Sequence, residues 1–285
     1  MKRIILHIDV NSAFLSWSAV KLLEEGYKKD IRNEVAVVAG DPKKRHGIIV
    51  AASIPAKKLG IKAPINLYEA RKKYKDVIVV KPDYNYYYQK SKSMMDFLKK
   101  LFPEFQQYSI DECFIEYTSM KRIYGDEVKF AYKLKNEIYK RFGFTVNVGI
   151  GNNKLCAKMA SDFTKPDRVH TLYEKEIPRK MWTLPISELF MVGRRTLPKL
   201  YNMNIKTIED LAKVDKNLLI KKFGKFGKTM WEYANGIDES EVVYTYQKPK
   251  CVGNSTTVSQ DINDIEKIEE VLLALTEHTT YRLRK

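Results

Sequence analysis

The chain has 285 residues, 44% of them hydrophobic, with 51 Lys and Arg against 35 Asp and Glu and a formal charge of +16. At roughly 150 residues per domain, this length predicts two domains or one with appendages, and the hydrophobic share excludes a disordered chain. The charge surplus attracts polyanions, nucleic acid first among them, although a lysine-rich surface kept for solubility has the same composition.

Cys113, Cys156 and Cys251 are widely spaced and make no Cys-x-x-Cys pair, so they suggest neither a zinc site nor a disulfide framework. A reducing, cytoplasmic setting fits them best. The start is basic at Lys2-Arg3, but the apolar run behind it is short and interrupted by His7 and Asp9, which argues against a signal peptide or a membrane span.

In chain order, Arg3 to Val10 reads as a buried strand, followed by a helix from Ala13 to Glu25 that Asn11 or Ser12 caps. Val35 to Ala39 and Ile48 to Ala52 read as strands joined by a turn region at Gly40-Asp41-Pro42, and Pro55 to Leu59 and Ile65 to Lys72 as short helices. Val77 to Val80 is strand-like, and a tyrosine-rich helix then runs from Tyr84 to Phe102 until Pro103 ends it. The strand-like runs Phe105 to Ile110 and Cys113 to Tyr117 flank Asp111-Glu112 and place that acidic pair near a hairpin tip.

Tyr124 to Phe142 has a helical period, Thr145 to Ile150 reads as a strand, and Asn152 to Phe163 as a helix capped by Asn152 or Asn153. The order strand, helix, strand, strand, helix, strand is that of a ferredoxin-like sheet with helices on one face, an α+β arrangement. After Pro166 the chain turns to short helices: Ile186 to Leu189, Thr196 to Tyr201, Ile208 to Val214 and Leu218 to Phe223. Residues 236–250, ending Gln247-Lys248-Pro249-Lys250, read as a linker. Cys251 to Ser259 then reads as a strand and Ile265 to Arg284 as an amphipathic helix, the start of a further domain cut short.

Two-metal phosphoryl transfer needs carboxylates from separate segments that converge, because two cations about 4 Å apart share an acidic bridge and magnesium prefers oxygen ligands. Asp9 at a strand end and Asp111-Glu112 at a hairpin tip meet that need if their strands are neighbours. Spacing alone leaves the blander reading open, in which Asp9 caps a helix and Asp111-Glu112 is an exposed turn. His7, His46, His170 and His278 have no metal spacing and receive no catalytic part. Tyr84, Tyr86, Tyr87 and Tyr88 are read as packing their helix against the sheet rather than as a base-stacking platform.

Three segments, in order, resemble the motifs of the Y-family DNA polymerases, the DinB/UmuC group: Ile4 to Phe14, Tyr108-Ser109-Ile110-Asp111-Glu112-Cys113-Phe114, and Val148 to Ser161 followed by Lys165-Pro166. The resemblance implies that Asp9 and Asp111 bridge two Mg2+ ions, with Mn2+ as a substitute. It implies that Glu112 binds the catalytic ion and that the backbone carbonyl of Val10 completes the nucleotide-side one. It makes Phe14 the aromatic gate that excludes a ribose 2′-hydroxyl by collision, and Lys165 the triphosphate lysine.

The amides of Asn11, Ser12, Ala13 and Phe14 are placed at a helix N-terminus, where they suit a triphosphate tail. Where many members carry Ser-Tyr-Glu-Ala-Arg, this chain has Ser53-Ile54-Pro55-Ala56-Lys57, so Ser53 and Lys57 are the nucleotide-side candidates there. Lys57 offers a point charge in place of a guanidinium fork, which predicts an altered nucleotide affinity.

Leu189 to Thr196 resembles a helix-hairpin-helix, with Gly193, Arg194 and Arg195 facing DNA and Met191 in place of the family's first glycine. Phe223-Gly224-Lys225-Phe226-Gly227-Lys228 reads as a second glycine turn, with Lys225 and Lys228 aimed at the phosphate backbone. The implied architecture is a ferredoxin-like palm (1–20 and 76–166), a small fingers lobe (21–75), a helix-hairpin-helix thumb (167–235), a linker (236–250) and a partial little finger (251–285).

The implied activity is template-directed, low-fidelity extension of primer-template DNA with deoxynucleoside triphosphates past damaged bases. The implied protein is a monomer with no membrane partner, and a sliding clamp reaches it through a C-terminal region beyond these residues. Two other readings compete: a nucleotide cyclase on a similar palm, and a catalytically weak DNA-binding repair scaffold with a polymerase fold.

Overall fold

The computed structural model describes residues 2–41, 47–245 and 250–284. The chain forms two compact units, one of Met1–Asn11 with Tyr88–Tyr244, the other of Ser12–Tyr87 with Thr245–Lys285.

Strand β1 (Ile5–Val10) is buried along its whole length because it is the central strand of the first unit's sheet. A strand flanked on both edges and covered on both faces has no solvent side, hence its near-continuous apolar sequence. The chain then enters the second unit through α1 (Ala13–Glu24). The expected side-chain cap is absent: Ser12 stands at the N-cap with φ 47° and caps no helical amide.

β2 (Ala36–Ala39), β3 (Ile49–Ala52), α2 (Ile54–Lys58), α3 (Leu67–Lys73) and β4 (Ile78–Val80) complete that lobe, with strand order β3-β2-β4. Alternate residues of β2 serve two cores. Val37 and Ala39 pack with Ala56, Leu67 and Ala70 of the two short helices, whereas Ala36 and Val38 pack with Leu15 and Ala19 of α1. Pro42, named in the predicted turn, lies outside the described residues.

Helix α4 (Tyr84–Leu101) carries the chain back to the first unit. β5 (Phe105–Gln107) and β6 (Glu112–Glu116) form the predicted hairpin, closed by Tyr108 and Ser109 amides donating to the Glu112 carbonyl at 2.9 and 3.1 Å. The single helix expected over Tyr124 to Phe142 is two, α5 (Lys121–Tyr124) and α6 (Glu127–Phe142). Gly125 with φ 79° breaks the period, and Asp126 caps the second helix by accepting the Lys129 amide at 2.8 Å.

β7 (Val146–Gly151) pairs antiparallel with β1, and α7 (Lys154–Asp162) follows, capped by Asn153. Gly149 and Gly151 stand opposite His7 and Ile5. A Cβ on Gly149 would meet the Ala157 carbonyl oxygen at 1.9 Å, and one on Gly151 would meet the Ala157 nitrogen at 2.6 Å. These two bare positions are what let α7 lie directly on the face of the sheet that carries Ile5, His7 and Asp9.

β8 (Val169–Leu172), a strand the sequence reading did not contain, adds parallel to β7. The full order is β5-β6-β1-β7-β8, so its first four strands in sequence have the ferredoxin-like arrangement.

The rest of this unit is helical: α8 (Ile177–Lys180), α9 (Leu197–Tyr201), α10 (Ile208–Lys213), α11 (Lys216–Phe223) and α12 (Lys225–Ala234). They share a core in which Leu189, Leu200, Leu211, Leu219 and Met230 pack with Leu155 and Met159 of α7. Ile186–Glu188 is a 3-10 turn rather than a helix.

The stretch read as a linker is docked in its first part. Leu155 donates its amide to Asp238 at 3.0 Å, Arg3 donates to the Ser240 carbonyl at 3.0 Å, and Val242 is buried against Ile5, Phe114 and Ala157. Gln247, Lys248 and Pro249 of the same stretch lie outside the described residues. α13 (Ile265–Arg284) matches its predicted span, but Cys251 to Ser259 is not a strand. A strand needs a neighbour to take its hydrogen bonds, and no ladder partner for this stretch occurs among the described residues.

Candidate active site

Asp9, Asp111 and Glu112 belong to one unit, and the backbone brings them together. Asp9 is the register partner of Glu112 across β1 and β6, and the Val10 amide donates to the Asp111 carbonyl at 3.1 Å. Asp9 and an acidic pair about a hundred positions later thus stand on adjoining backbone at one end of a central strand pair.

Their carboxylates do not close on one point: among the described residues, no group of three His, Cys, Asp or Glu side chains has metal-ligand geometry. Each carboxylate is engaged elsewhere. Lys165 donates to Asp9, Lys158 donates to Glu112 at 2.9 Å, and the Ser109 hydroxyl donates to Asp111 at 2.6 Å.

The charge pattern suits cations. Burial pushes the Asp9 carboxyl up against the pull of Lys165, so its negative charge depends on a cation beside it. Burial works against Lys165 as well, yet Asp9 and Asp162 hold its ammonium above the ordinary lysine range. Burial alone would raise Glu112, but His7 and Lys158 beside it bring it down to about 2. An all-oxygen donor set of three carboxylates, two of them already drawing an ammonium, fits a hard divalent cation once those lysines swing aside.

Three neighbours of these carboxylates were missed in the sequence. His7, given no role there, is fully buried; it pairs with the Ser161 hydroxyl at 2.8 Å through Nδ1. Its Nε2 makes no hydrogen bond and stands 3.8 Å from Glu112. The available signal was its place two residues before Asp9, on the same face of the strand. Lys158 and Asn147 gave no such signal, because each reaches the acidic cluster from a different element.

The Asn11 amide donates to the Thr145 carbonyl at 3.0 Å, so it is committed to the sheet and is not a phosphate donor. In the second unit, Lys57 donates to the Ser12 hydroxyl at 2.7 Å, beside the N-terminus of α1 where Ala13 begins the helix. Ser53 is buried; its hydroxyl donates to the Glu34 carbonyl at 2.6 Å and accepts the Ala36 and Ala56 amides, both at 3.1 Å. That use fills the hydroxyl, so Ser53 caps α2 and offers a phosphate nothing.

Phe14 is half-buried, its ring stacked on Tyr87 at 5.1 Å and edge-on to Tyr84 at 5.9 Å. Tyr87 also hydrogen-bonds Ser18, and Tyr86 hydrogen-bonds Glu24 at 2.6 Å. These tyrosines brace α1.

In the helical part, Gly193, Arg194 and Arg195 are exposed, and a Cβ added at Gly193 would meet nothing within 4 Å. Neither packing nor backbone conformation demands that glycine. Met191 holds φ 74°, the left-handed region its glycine counterpart favours. The second glycine turn is tighter than expected: Gly224 with φ 63° joins α11 to α12, and Lys225, Gly227 and Lys228 lie inside α12.

Residues 8–162 match the model of the impB/mucB/samB family, and residues 188–238 match that of the DNA polymerase-iota thumb domain. A protein named DNA polymerase IV from Clostridium acetobutylicum is 50% identical over 285 residues, covering all of this chain and 72% of the relative. One of the same name from Clostridium kluyveri is 37% identical, covering all of this chain and 70% of the relative. Among solved structures, a Y-family DNA polymerase chimera superposes with a TM-score of 0.83 at 22% identity, covering 98% of this chain and 80% of the other. DinB from Sulfolobus solfataricus has a TM-score of 0.72 at 24% identity, covering 84% and 69%. The chain belongs to the impB/mucB/samB family, the Y-family of DNA polymerases. The α+β architecture expected from the sequence is the one found.

Proposed function

We propose that this chain is a DNA-directed DNA polymerase of the lesion-bypass type, which extends primer-template DNA with deoxynucleoside triphosphates. One observation carries the reading: Asp9, Asp111 and Glu112 share one strand end, joined by the Asp9 to Glu112 register and the Val10 to Asp111 hydrogen bond. That is the placement a two-cation phosphoryl transfer requires.

In this reading Asp9, Asp111, Glu112 and the Val10 backbone carbonyl would hold two divalent cations, Mg2+ with Mn2+ as a substitute, with Asp9 and Asp111 serving both, Glu112 the catalytic one and Val10 the nucleotide-side one. Bound there, such cations make a primer 3′-hydroxyl easier to deprotonate and neutralise charge on the triphosphate. Lys165 exchanges Asp9 for the triphosphate tail. In the second unit, Lys57 and the helix-terminal amides of Ser12, Ala13 and Phe14 are the nucleotide-side groups. Ser53 acts from behind by capping the helix that carries Lys57. The Phe14 ring, held by Tyr87, excludes a 2′-hydroxyl.

Gly193, Arg194, Arg195, Lys225 and Lys228 hold the DNA backbone without reading sequence. We assign 1–20 and 76–166 to a palm, 21–75 to fingers, 167–235 to a thumb, 236–250 to a linker and 251–285 to part of a little finger. The protein acts as a cytoplasmic monomer, and a sliding clamp engages it through a C-terminal region. No helix among the described residues is long and apolar enough to cross a membrane.

The test is primer extension with Mg2+, comparing the chain with Asp111→Ala. Asp111 is only partly buried and, among the described residues, its side chain bonds Ser109 alone, so stability should change by about 0.5 kcal/mol or less. Extension should fall about a thousandfold, the scale of a lost charge-stabilising group. Equal extension by both proteins would overturn the reading.

A further inference from the structure

The loop between α7 and β8 carries Lys165, and its shape is fixed by one buried side chain that has no assigned part. Asn147 on β7 is fully buried and is the register partner of Asp9. Its amide nitrogen donates to the Ser161 carbonyl at 2.9 Å and the Thr164 carbonyl at 2.7 Å. Its amide oxygen accepts from the Arg168 backbone at 3.1 Å and from the Asn11 side chain at 3.1 Å. Asn11 extends the clamp by accepting from the Thr145 hydroxyl at 3.0 Å and the Asp167 amide at 2.8 Å.

All four hydrogen-bonding places of Asn147 are filled, and they hold the backbone on both sides of Lys165. The circuit then closes, because the Lys165 ammonium returns to Asp9, the residue opposite Asn147. Only a side-chain amide has two donors and an acceptor in one plane. A hydroxyl or an alkyl group would leave buried carbonyls unpaired.

We propose that Asn147 is a positioning residue for the incoming nucleotide: it sets Lys165 where the triphosphate arrives, without touching the nucleotide itself. This rests on the reading of Lys165 as the triphosphate lysine, and the test separates the two. Single-turnover incorporation gives the apparent dissociation constant of the nucleotide apart from the maximal rate. It would be measured for Asn147→Ala, Lys165→Ala and the double variant.

Lys165→Ala should weaken nucleotide binding by about tenfold, the scale of one hydrogen bond to a charged group. Asn147→Ala should weaken it several-fold with a maximal rate within about twofold of the parent, and should add nothing in the Lys165→Ala background. Hydrogen exchange at the Arg168 amide should quicken in Asn147→Ala and not in Lys165→Ala.

Additive effects on nucleotide binding, or a loss confined to the maximal rate, would overturn the proposal. Unchanged binding in Lys165→Ala would remove the role of Lys165, and the proposal with it. Weaker binding in Lys165→Ala beside unchanged binding in Asn147→Ala would overturn the proposal alone. Should Asn147→Ala fail to fold, Thr145→Val, which removes only the outermost hydrogen bond, decides by the same cycle: unchanged nucleotide binding refutes the clamp.

Discussion

Replacing Gly227 by Ala sets two effects of opposite sign against each other. Gly227 lies inside α12, where Ala is favoured over Gly by about 1 kcal/mol on intrinsic helix propensity. A Cβ at this position, however, would stand 2.1 Å from the Leu219 carbonyl oxygen and 2.5 Å from its carbon, against 3.4–4 Å for ordinary contact. The obstacle is backbone of α11, not a flexible side-chain tip, so the two helices must part by roughly 1.3 Å or more at their closest approach.

Parting them loosens Leu219 and Met230, both buried at that contact, and overpacking of this kind costs about 1–3 kcal/mol or more. The clash is at the severe end, so packing should win and leave the variant about 1–2 kcal/mol less stable. That corresponds to about 2–8 °C in melting temperature for a domain of this size. Thermal unfolding by circular dichroism measures it, and DNA binding should weaken with it because Lys225 and Lys228 flank the position. A variant as stable as the parent, or more so, would show that α11 and α12 do not approach as described, and the account of this turn would fail.

Phe14→Ala should raise ribonucleotide incorporation relative to deoxyribonucleotide by tenfold or more, on the scale of about 1.4 kcal/mol of lost discrimination; an unchanged ratio in a primer-extension competition would remove the gate assignment. Lys225→Ala and Lys228→Ala should each weaken binding to duplexes of any sequence alike and lower the salt slope of the binding constant by about 1. A slope that stays the same in fluorescence anisotropy titrations would mean that neither lysine meets a phosphate.

The fold was legible where local pattern and final environment agree. The apolar run into Asp9 reads as a buried strand and is one, and the hairpin around Asp111-Glu112 follows from two strand-like runs with a polar join. The helix 265–284 was found to the residue because its apolar period is unbroken. The failures have physical causes. The 251–259 stretch has strand-like residues but no ladder partner among the described residues. Gly227 resembled a turn glycine, yet it is glycine because a neighbouring helix leaves no room for a side chain.

The acidic residues were legible as a set only through the order of their motifs, since nothing in spacing says that β1 lies between β6 and β7. The supporting cast was not legible at all. His7, Asn147 and Lys158 reach the site through cross-strand pairing and the α7 contact, and Ser53 looked like a phosphate donor although its hydroxyl is filled from within. Long-range partners of this kind carry no local signature.

The central claim is that Asp9, Asp111 and Glu112 gather divalent cations for nucleotidyl transfer. A crystal of the chain with primer-template DNA, a non-hydrolysable deoxynucleotide and Mn2+, with anomalous scattering collected at the manganese edge, tests it directly. The account predicts two peaks about 4 Å apart between these carboxylates and the triphosphate, with Lys165 turned from Asp9 to the phosphates. Manganese bound with nucleotide elsewhere, while Lys165 stays on Asp9 and Lys158 on Glu112, would contradict it.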